Sequence, residues 1–207
     1  LLFRKLRFEE IISEVPVCGM LAEVGCDHAR LTELALRRGL CRSAVVSDIS
    51  AACLEKARRT LSGYDCVRYI VCDGVPEGVE PDCLLVCGMG GHNVRDILSR
   101  YRGRATLVLS PQSHAELVRE ALPGMGYAIE RDRCFEAAGK YYDVIRAVKT
   151  DNPAQPDGMQ IKYGAYYKEK NPALRARLER LLGCLRGGGD ANAARIAEIT
   201  EVLSWQK

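Results

Sequence analysis

The strongest constraint on the fold is a repeated punctuation. An apolar run ends in an acid or a glycine, and an amphipathic segment opens directly behind it. Leu21-Ala22-Glu23-Val24-Gly25-Cys26-Asp27-His28-Ala29-Arg30-Leu31 is the clearest case. It reads as a strand, a tight turn and the start of a helix. The same grammar recurs at Asp48-Ile49, Asp73-Gly74 and Gly88-Met89-Gly90-Gly91. Strands that alternate with helices pair in parallel, so the pattern predicts an α/β, doubly wound sheet. In such a sheet these turns all fall at the carboxyl ends of strands, the edge along which ligands bind.

Periodicity fills in the rest. Strands are expected over 20–25, 43–48, 67–72, 82–87 and 105–109. Helices are expected over 29–38, from a Ser50 cap to about Leu61, and over 92–101. Ser113 and Glu116 have the spacing of a capping box, for a helix that ends near Pro123-Gly124. An amphipathic helix over 4–14, stopped by Pro16, precedes them. The connection over 73–81 holds Pro76, Gly78 and Pro81, with room for about one helical turn, which is tight for a parallel crossover. Strands over 127–135 and 141–148, joined at Ala138-Gly139-Lys140, add an antiparallel last hairpin.

The texture changes near residue 150. Residues 151–158 have linker composition. Beyond them Asn171-Pro172 is a helix start, and Leu174, Leu178, Leu181, Leu182 and Leu185 form an apolar stripe. Gly187-Gly188-Gly189 is a turn, and Asp190 can cap a second helix carrying Ile196, Ile199 and Leu203. The expected division is a sheet domain over 1–150 and a small, coiled-coil-like helical hairpin domain over 151–207.

Composition limits the function classes. With 207 residues, 47% of them hydrophobic and 28% charged, the chain suits one globular domain and an appendage. No apolar run approaches the roughly 20 residues of a membrane span, so no membrane partner is expected. Ten cysteines include no C-x-x-C pair, which argues against a metal site and for reduced thiols in a cytoplasmic protein. The net charge of +3 allows local basic patches for a nucleic acid. A monomer or weak dimer is expected.

The turns carry the chemistry. Asp48 lies roughly 20 residues after the first turn, where an acid reads ribose hydroxyls in nucleoside-binding sheets. Asp73 is placed to bond an adenine amino group. A dinucleotide fingerprint needs G-x-G-x-x-G, but Asp27 takes the second glycine position and Arg30 the last. A carboxylate there repels pyrophosphate, which disfavours an NAD oxidoreductase. It suits the sulfonium of S-adenosylmethionine. The candidate cofactor-binding residues are Glu23, Gly25, Cys26, Asp48, Ile49, Asp73, Gly74, Gly88, Met89 and Gly90. On these residues alone, a methyltransferase for a small molecule or protein and a non-catalytic binding module both stay open.

The motifs resemble those of the bacterial tRNA (adenine(22)-N1)-methyltransferases of the TrmK type. That family's G-S-D-H-A-Y-L turn is similar to Gly25-Cys26-Asp27-His28-Ala29-Arg30-Leu31, and its Gly-Met-Gly-Gly turn to Gly88–Gly91. Cys72-Asp73-Gly74, Ser110-Pro111-Gln112, Gly139-Lys140-Tyr141-Tyr142 and Lys168-Glu169-Lys170-Asn171 resemble further family motifs. Arg30 replaces a tyrosine, Asp48 a frequent glutamate, and Ser110 and Gln112 differ from Gln-Pro-Asn. The resemblance implies a class I methyltransferase fold, S-adenosylmethionine as donor, tRNA as substrate and a catalytic role for Asp27. We expect Asp27 to stabilise charge developing on adenine, with His28 in support. Candidate RNA contacts are Arg4, Lys5, Arg7, Arg30, Lys168, Lys170 and Arg175, joined by Arg37, Arg38 and Arg177. Met89 or Tyr141 is a candidate lining of the adenine pocket, ordinary packing being the expected role of Tyr141.

Overall fold

The computed structural model describes the backbone of residues 2–186 and 189–207, with side chains over 6–186 and 191–207. Seven strands form one sheet in the order β3-β2-β1-β4-β5-β7-β6. They are β1 (Cys18–Val24), β2 (Cys41–Asp48), β3 (Val67–Val71), β4 (Cys83–Cys87), β5 (Thr106–Ser110), β6 (Tyr127–Ala137) and β7 (Lys140–Lys149). β1 to β5 are parallel and β7 runs antiparallel to both β5 and β6. The doubly wound sheet with an antiparallel last hairpin is as expected.

Alternation along the central strands explains the two layers of helices. Leu21, Cys83, Leu85 and Val108 face one core, with α1 (Leu2–Ile12) and α2 (Arg30–Arg37) packed over it through Ile11, Ile12, Leu31 and Leu34. Ala22, Leu84, Val86, Leu107 and Leu109 face the other, under α4 (Gly91–Arg100) and α5 (Ala115–Gly124). Strands covered on both faces must be apolar throughout, and Leu84, Leu85 and Val86 are fully buried. α3 (Ala51–Thr60) packs Leu54 and Ala57 against Val46, Cys26 and Ala29. Its Ser50 cap accepts from the Cys53 N–H at 3.4 Å.

The short 73–81 connection contains no helix, although β4 is not the neighbour of β3. The chain passes β2 and β1 and enters on the far side of β1. This reversal makes the gap between β1 and β4 the topological switch point, where a crevice opens at the carboxyl edge.

Two expected caps are corrected. α5 begins after His114, held at φ +55° with no side-chain cap, rather than at a Ser113–Glu116 box. The Ser113 carbonyl instead accepts from Gly91 N–H at 2.8 Å, and Glu116 bonds His114 Nδ1 at 2.9 Å. α8 (Ala193–Trp205) starts at Asn192 after a 3-10 turn over Gly189–Asn192, not at Asp190. Gly187 and Gly188 of the expected turn, and the Asp190 side chain, lie outside the described residues.

The C-terminal part also contains a helix that periodicity did not reveal. α6 (Gly158–Tyr163) starts at the end of the stretch read as linker and is capped by a reciprocal Asp157–Gln160 box. α7 (Pro172–Arg186) starts at Asn171, whose Oδ1 accepts from Leu174 N–H at 3.0 Å. Leu174, Leu178 and Leu182 of α7 meet Ile199 and Val202 of α8, and the pair packs onto Cys134 and Tyr141 of the hairpin. Asn171 Nδ2 donates to the Cys134 carbonyl, Cys134 pairs with Asp143, and the Asp143 carbonyl accepts from Ser110 Oγ at the end of β5. This relay sets the start of α7 at the carboxyl edge of the sheet.

Candidate active site

The β1 turn crosses the left-handed region three times, at Gly25 (φ +69°), Asp27 (φ +43°) and Ala29 (φ +49°). Such conformations cost free energy at residues other than glycine and persist only where surrounding contacts fix them. Here Gly25 N–H and Cys26 N–H both donate to the Ser47 carbonyl of β2, at 2.8 and 3.2 Å. Asp27 N–H donates to Asp48 Oδ2 at 3.3 Å, and the other oxygen of Asp48 accepts from Ser50 N–H at 2.9 Å. Asp48 therefore joins the first turn to the start of α3. Ile49, beside it, is 74% exposed.

The Asp27 carboxylate is open to solvent, its side chain 58% exposed. It accepts from Lys56 Nζ of α3 at 2.9 Å, and His28 Nε2 lies 3.8 Å away. The Lys56 hydrogen bond is the main cause that holds this carboxyl below its usual range, so Asp27 stays ionised at neutral pH. Lys56 carries no sequence signal. Its helix reaches the turn only because β2 lies beside β1.

The fourth-strand turn meets the first across the switch point. A Cβ added at Gly25 would stand 2.9 Å from Met89 Cε, so glycine is what lets the Met89 side chain pack against the first turn. The Met89 carbonyl accepts from Gln112 N–H at 2.8 Å. Gly90 caps α4, and Gly91 lets the α4 and α5 ends close up: a Cβ there would fall 2.0 Å from the His114 carbonyl oxygen.

Two candidate acids point elsewhere. Asp73 is bound by Arg100 at the end of α4, at 3.0 Å, and this hydrogen bond lowers its carboxyl below the usual range. Gly74 lies beside it, and both line a cavity of about 360 Å³ between the 73–81 connection and the end of α4. Glu23 is 6% exposed, and its Oε2 accepts from the Thr32 N–H at 3.0 Å and hydroxyl at 2.5 Å. It anchors α2 from behind the turn.

Burial pushes the Glu23 carboxyl up to about 7, against the Thr32 hydrogen bonds that pull it down. The raised value gives Glu23 a definite pH signature. The protonated form is the one the fold favours, so its contribution is complete below the ordinary value of 4.5 and lost as pH rises through about 7. Glu23→Gln, which keeps an acceptor for Thr32, should be more stable than the parent above pH 7 by up to about 3 kcal/mol, at roughly 1.4 kcal/mol per pH unit. Thermal melts of both proteins from pH 5 to 8 check this, parallel pH curves being the contrary result.

The basic candidates divide. Arg7 lies over the Tyr142 ring. Arg30, at the start of α2, pairs with Glu33, and Arg175 pairs with Glu179. Lys168 sits over Tyr167 and Trp205, and it and Lys170 are exposed on the segment that enters α7. Arg177 is taken up by Asp143, and Arg38 by Glu9. Arg4 and Lys5 belong to α1, but their side chains lie outside the described residues. Among the described residues no three metal-binding side chains converge, and no helix is long and apolar enough to cross a membrane.

Comparison with known proteins gives this geometry a family. A family described as a methyltransferase domain matches residues 4–145, more than half of the chain. The chain belongs to that family. The matched region holds the β1 and β4 turns and ends inside β7. The tRNA (adenine(22)-N(1))-methyltransferase of Bacillus subtilis (strain 168) is 28% identical to this methyltransferase over 179 residues, 80% of this chain and 75% of the relative. The structure of M. capricolum TrmK with S-adenosyl-homocysteine superposes with a TM-score of 0.84 at 17% identity, covering 97% of this chain and 98% of that one. The B. subtilis m1A22 tRNA methyltransferase TrmK gives 0.78 at 22% identity, covering 97% and 95%. The likeness to both structures extends over the C-terminal helices.

Proposed function

We propose that this methyltransferase moves a methyl group from S-adenosylmethionine to N1 of the adenine at position 22 of tRNA. The observation that carries the reading is the β1 turn, where the Asp27 N–H donates to the Asp48 carboxylate and so holds two acids at the carboxyl edge of a methyltransferase sheet. Paired acids repel a pyrophosphate and suit a sulfonium, and the bare Gly25 backbone lets Met89 bring the β4 turn close against the first. The B. subtilis relative, named for the same reaction, supports the choice of substrate.

S-adenosylmethionine supplies an electrophilic methyl carbon on a cationic sulfur. Asp48 offers its carboxylate to the ribose while keeping the first turn in place. Gly25, Cys26 and Ile49 border the same crevice, and Gly88, Met89 and Gly90 close it from the β4 side. Asp73 serves the adenine end once it shares or releases Arg100. Glu23 acts through α2, whose first turn it holds. Neutral adenine N1 has an in-plane lone pair, so these residues need to align it and exclude water rather than supply a strong base. Asp27, ionised beside Lys56, then faces the positive charge that grows on the adenine, and His28 flanks it.

In this reading residues 1–150 perform the chemistry and residues 151–207 help to hold the RNA. Incubation with a tRNA transcript followed by nucleoside mass spectrometry tests it. N1-methyladenosine at position 22 is the expected product; methylation elsewhere, or of a small molecule or protein alone, overturns it.

The RNA surface has its own test. Removing residues 151–207 would uncover Cys134 and strip Asp143 of Arg177, so charge removal is the cleaner probe. Combined Lys168→Ala, Lys170→Ala and Arg175→Ala should raise the KM for tRNA about tenfold and reduce the salt slope of binding by roughly two to three. Unchanged salt dependence would separate these residues from the RNA.

A further inference from the structure

One aromatic stack runs from the hairpin into the crevice. Phe135 of β6 and Tyr142 of β7 are direct cross-strand partners, their rings 5.6 Å apart and 24° from parallel. The Arg7 guanidinium carbon lies 4.7 Å from the centroid of the Tyr142 ring. Beyond Arg7 comes the β4 turn: a side chain at Gly88 would stand 4.0 Å from an Arg7 terminal nitrogen and 3.7 Å from the Gln112 amide nitrogen. Gly88, at φ +83°, thus leaves open a space faced by two N–H donors and the end of a stack.

Arg7 is not arranged as a surface phosphate clamp. Its Nε is buried with no hydrogen-bond partner. The side chain is half-buried, laid over an aromatic ring, and its charge is felt by the Cys87 thiol at the end of β4. A guanidinium seated on a ring offers a second plane, and proteins use such planes to stack unpaired RNA bases. N1 of adenine lies on the pairing edge, so the target base must leave any helix before it is methylated and needs a platform in the site. Gly88-Met89-Gly90-Gly91 supplies no aromatic ring, and the neighbouring Tyr141 packs toward the C-terminal helices.

We propose that the target adenine stacks on the Arg7 guanidinium, with Tyr142 and Phe135 as the seat that holds the plane in position. This rests on the tRNA reading above, and it makes Arg7 a base-binding residue whose planarity matters, beyond its charge.

Arg7→Lys separates the two properties, because it keeps the charge and removes the plane. In steady-state methylation of a full-length tRNA transcript, Arg7→Lys should lose about tenfold or more in kcat/KM, in line with the loss of one stacked base. Its salt slope of tRNA binding should stay that of the parent. Tyr142→Leu should lose a similar amount, and Tyr142→Phe, which keeps the ring, should recover most of it. Circular dichroism and calorimetric affinity for S-adenosylmethionine, expected to match the parent, establish that the variants are folded. Arg7→Lys with parental kcat/KM, or Tyr142→Leu without a defect, overturns the stacking role alone. A parent chain that leaves tRNA unmethylated overturns both readings.

Discussion

Asp27→Asn is expected to slow methyl transfer to tRNA by about 100- to 1000-fold, the usual cost of losing one preorganised electrostatic contact to a transition state. Asparagine is the informative replacement because it tolerates the left-handed backbone that Asp27 adopts at φ +43°. Its backbone N–H can still reach Asp48, so the turn survives while the charge is removed. The defect should appear in kcat at saturating cofactor and tRNA, because the positive charge on adenine exists only as the methyl is transferred. Single-turnover rates separate this from slow product release. An increase confined to the KM for S-adenosylmethionine would reassign Asp27 to cofactor holding, and a nearly unchanged kcat would remove it from the chemistry. Lys56 supplies a second probe. It is the partner that keeps Asp27 ionised, so Lys56→Met should shift the acid limb of the pH–rate profile upward.

What could be read from the linear chain, and what could not, follows from the range of the interactions. The strands and helices were legible because each buries a face set by local periodicity, as Leu84 to Val86 and the Leu174–Leu178–Leu182 row demonstrate. The turns at Gly25, Asp48 and Gly88 were legible because the doubly wound fold gathers successive strand ends at one edge. The Lys56–Asp27 pair was not, since its partners are 29 residues apart and meet only through the β1–β2 pairing. The Ser113–Glu116 box failed for a related reason: the Ser113 carbonyl is claimed by Gly91, a tertiary contact that overrides a local preference. α6 was hidden because six residues are too few for a periodic signal, although the Asp157–Gln160 cap was present to be read. The stack of Phe135, Tyr142 and Arg7 joins the two ends of the matched region and has no local signature at all.

The largest stability effect is expected at Arg119, on the buried face of α5. Its side chain is 3% exposed. Nε and a terminal nitrogen hold Asp132 at 2.7 and 2.9 Å, the same terminal nitrogen reaches Asp143 at 3.0 Å, and the other donates to the Ile161 carbonyl at 3.3 Å. Asp132 also accepts from Ala165 N–H at 2.7 Å, and Asp143 from Arg177 of α7 at 2.9 Å. One guanidinium thus ties α5 and both hairpin strands to the C-terminal helices. Arg119→Met leaves two buried carboxylates facing each other with Arg177 as their remaining cation, and breaking a buried pair in this way costs about 3–5 kcal/mol. For a chain of this length that is a fall in Tm of roughly 10 °C. Acid should act on the same joint. Burial alone would raise the Asp143 carboxyl, but Arg119 and Arg177 outweigh it and hold it below its ordinary value of 3.8. Its contribution is therefore complete above that value and lost as pH falls through the lower, folded one. If the cost lies in the unpaired charges, Arg119→Met combined with Asp132→Asn and Asp143→Asn should recover much of the loss. Melting curves of the three proteins decide it: a single variant within about 1 °C of the parent would mean that the network contributes little, and a triple variant no better than the single one would mean that the lost packing of Arg119, not its charge, holds the C-terminal helices in place.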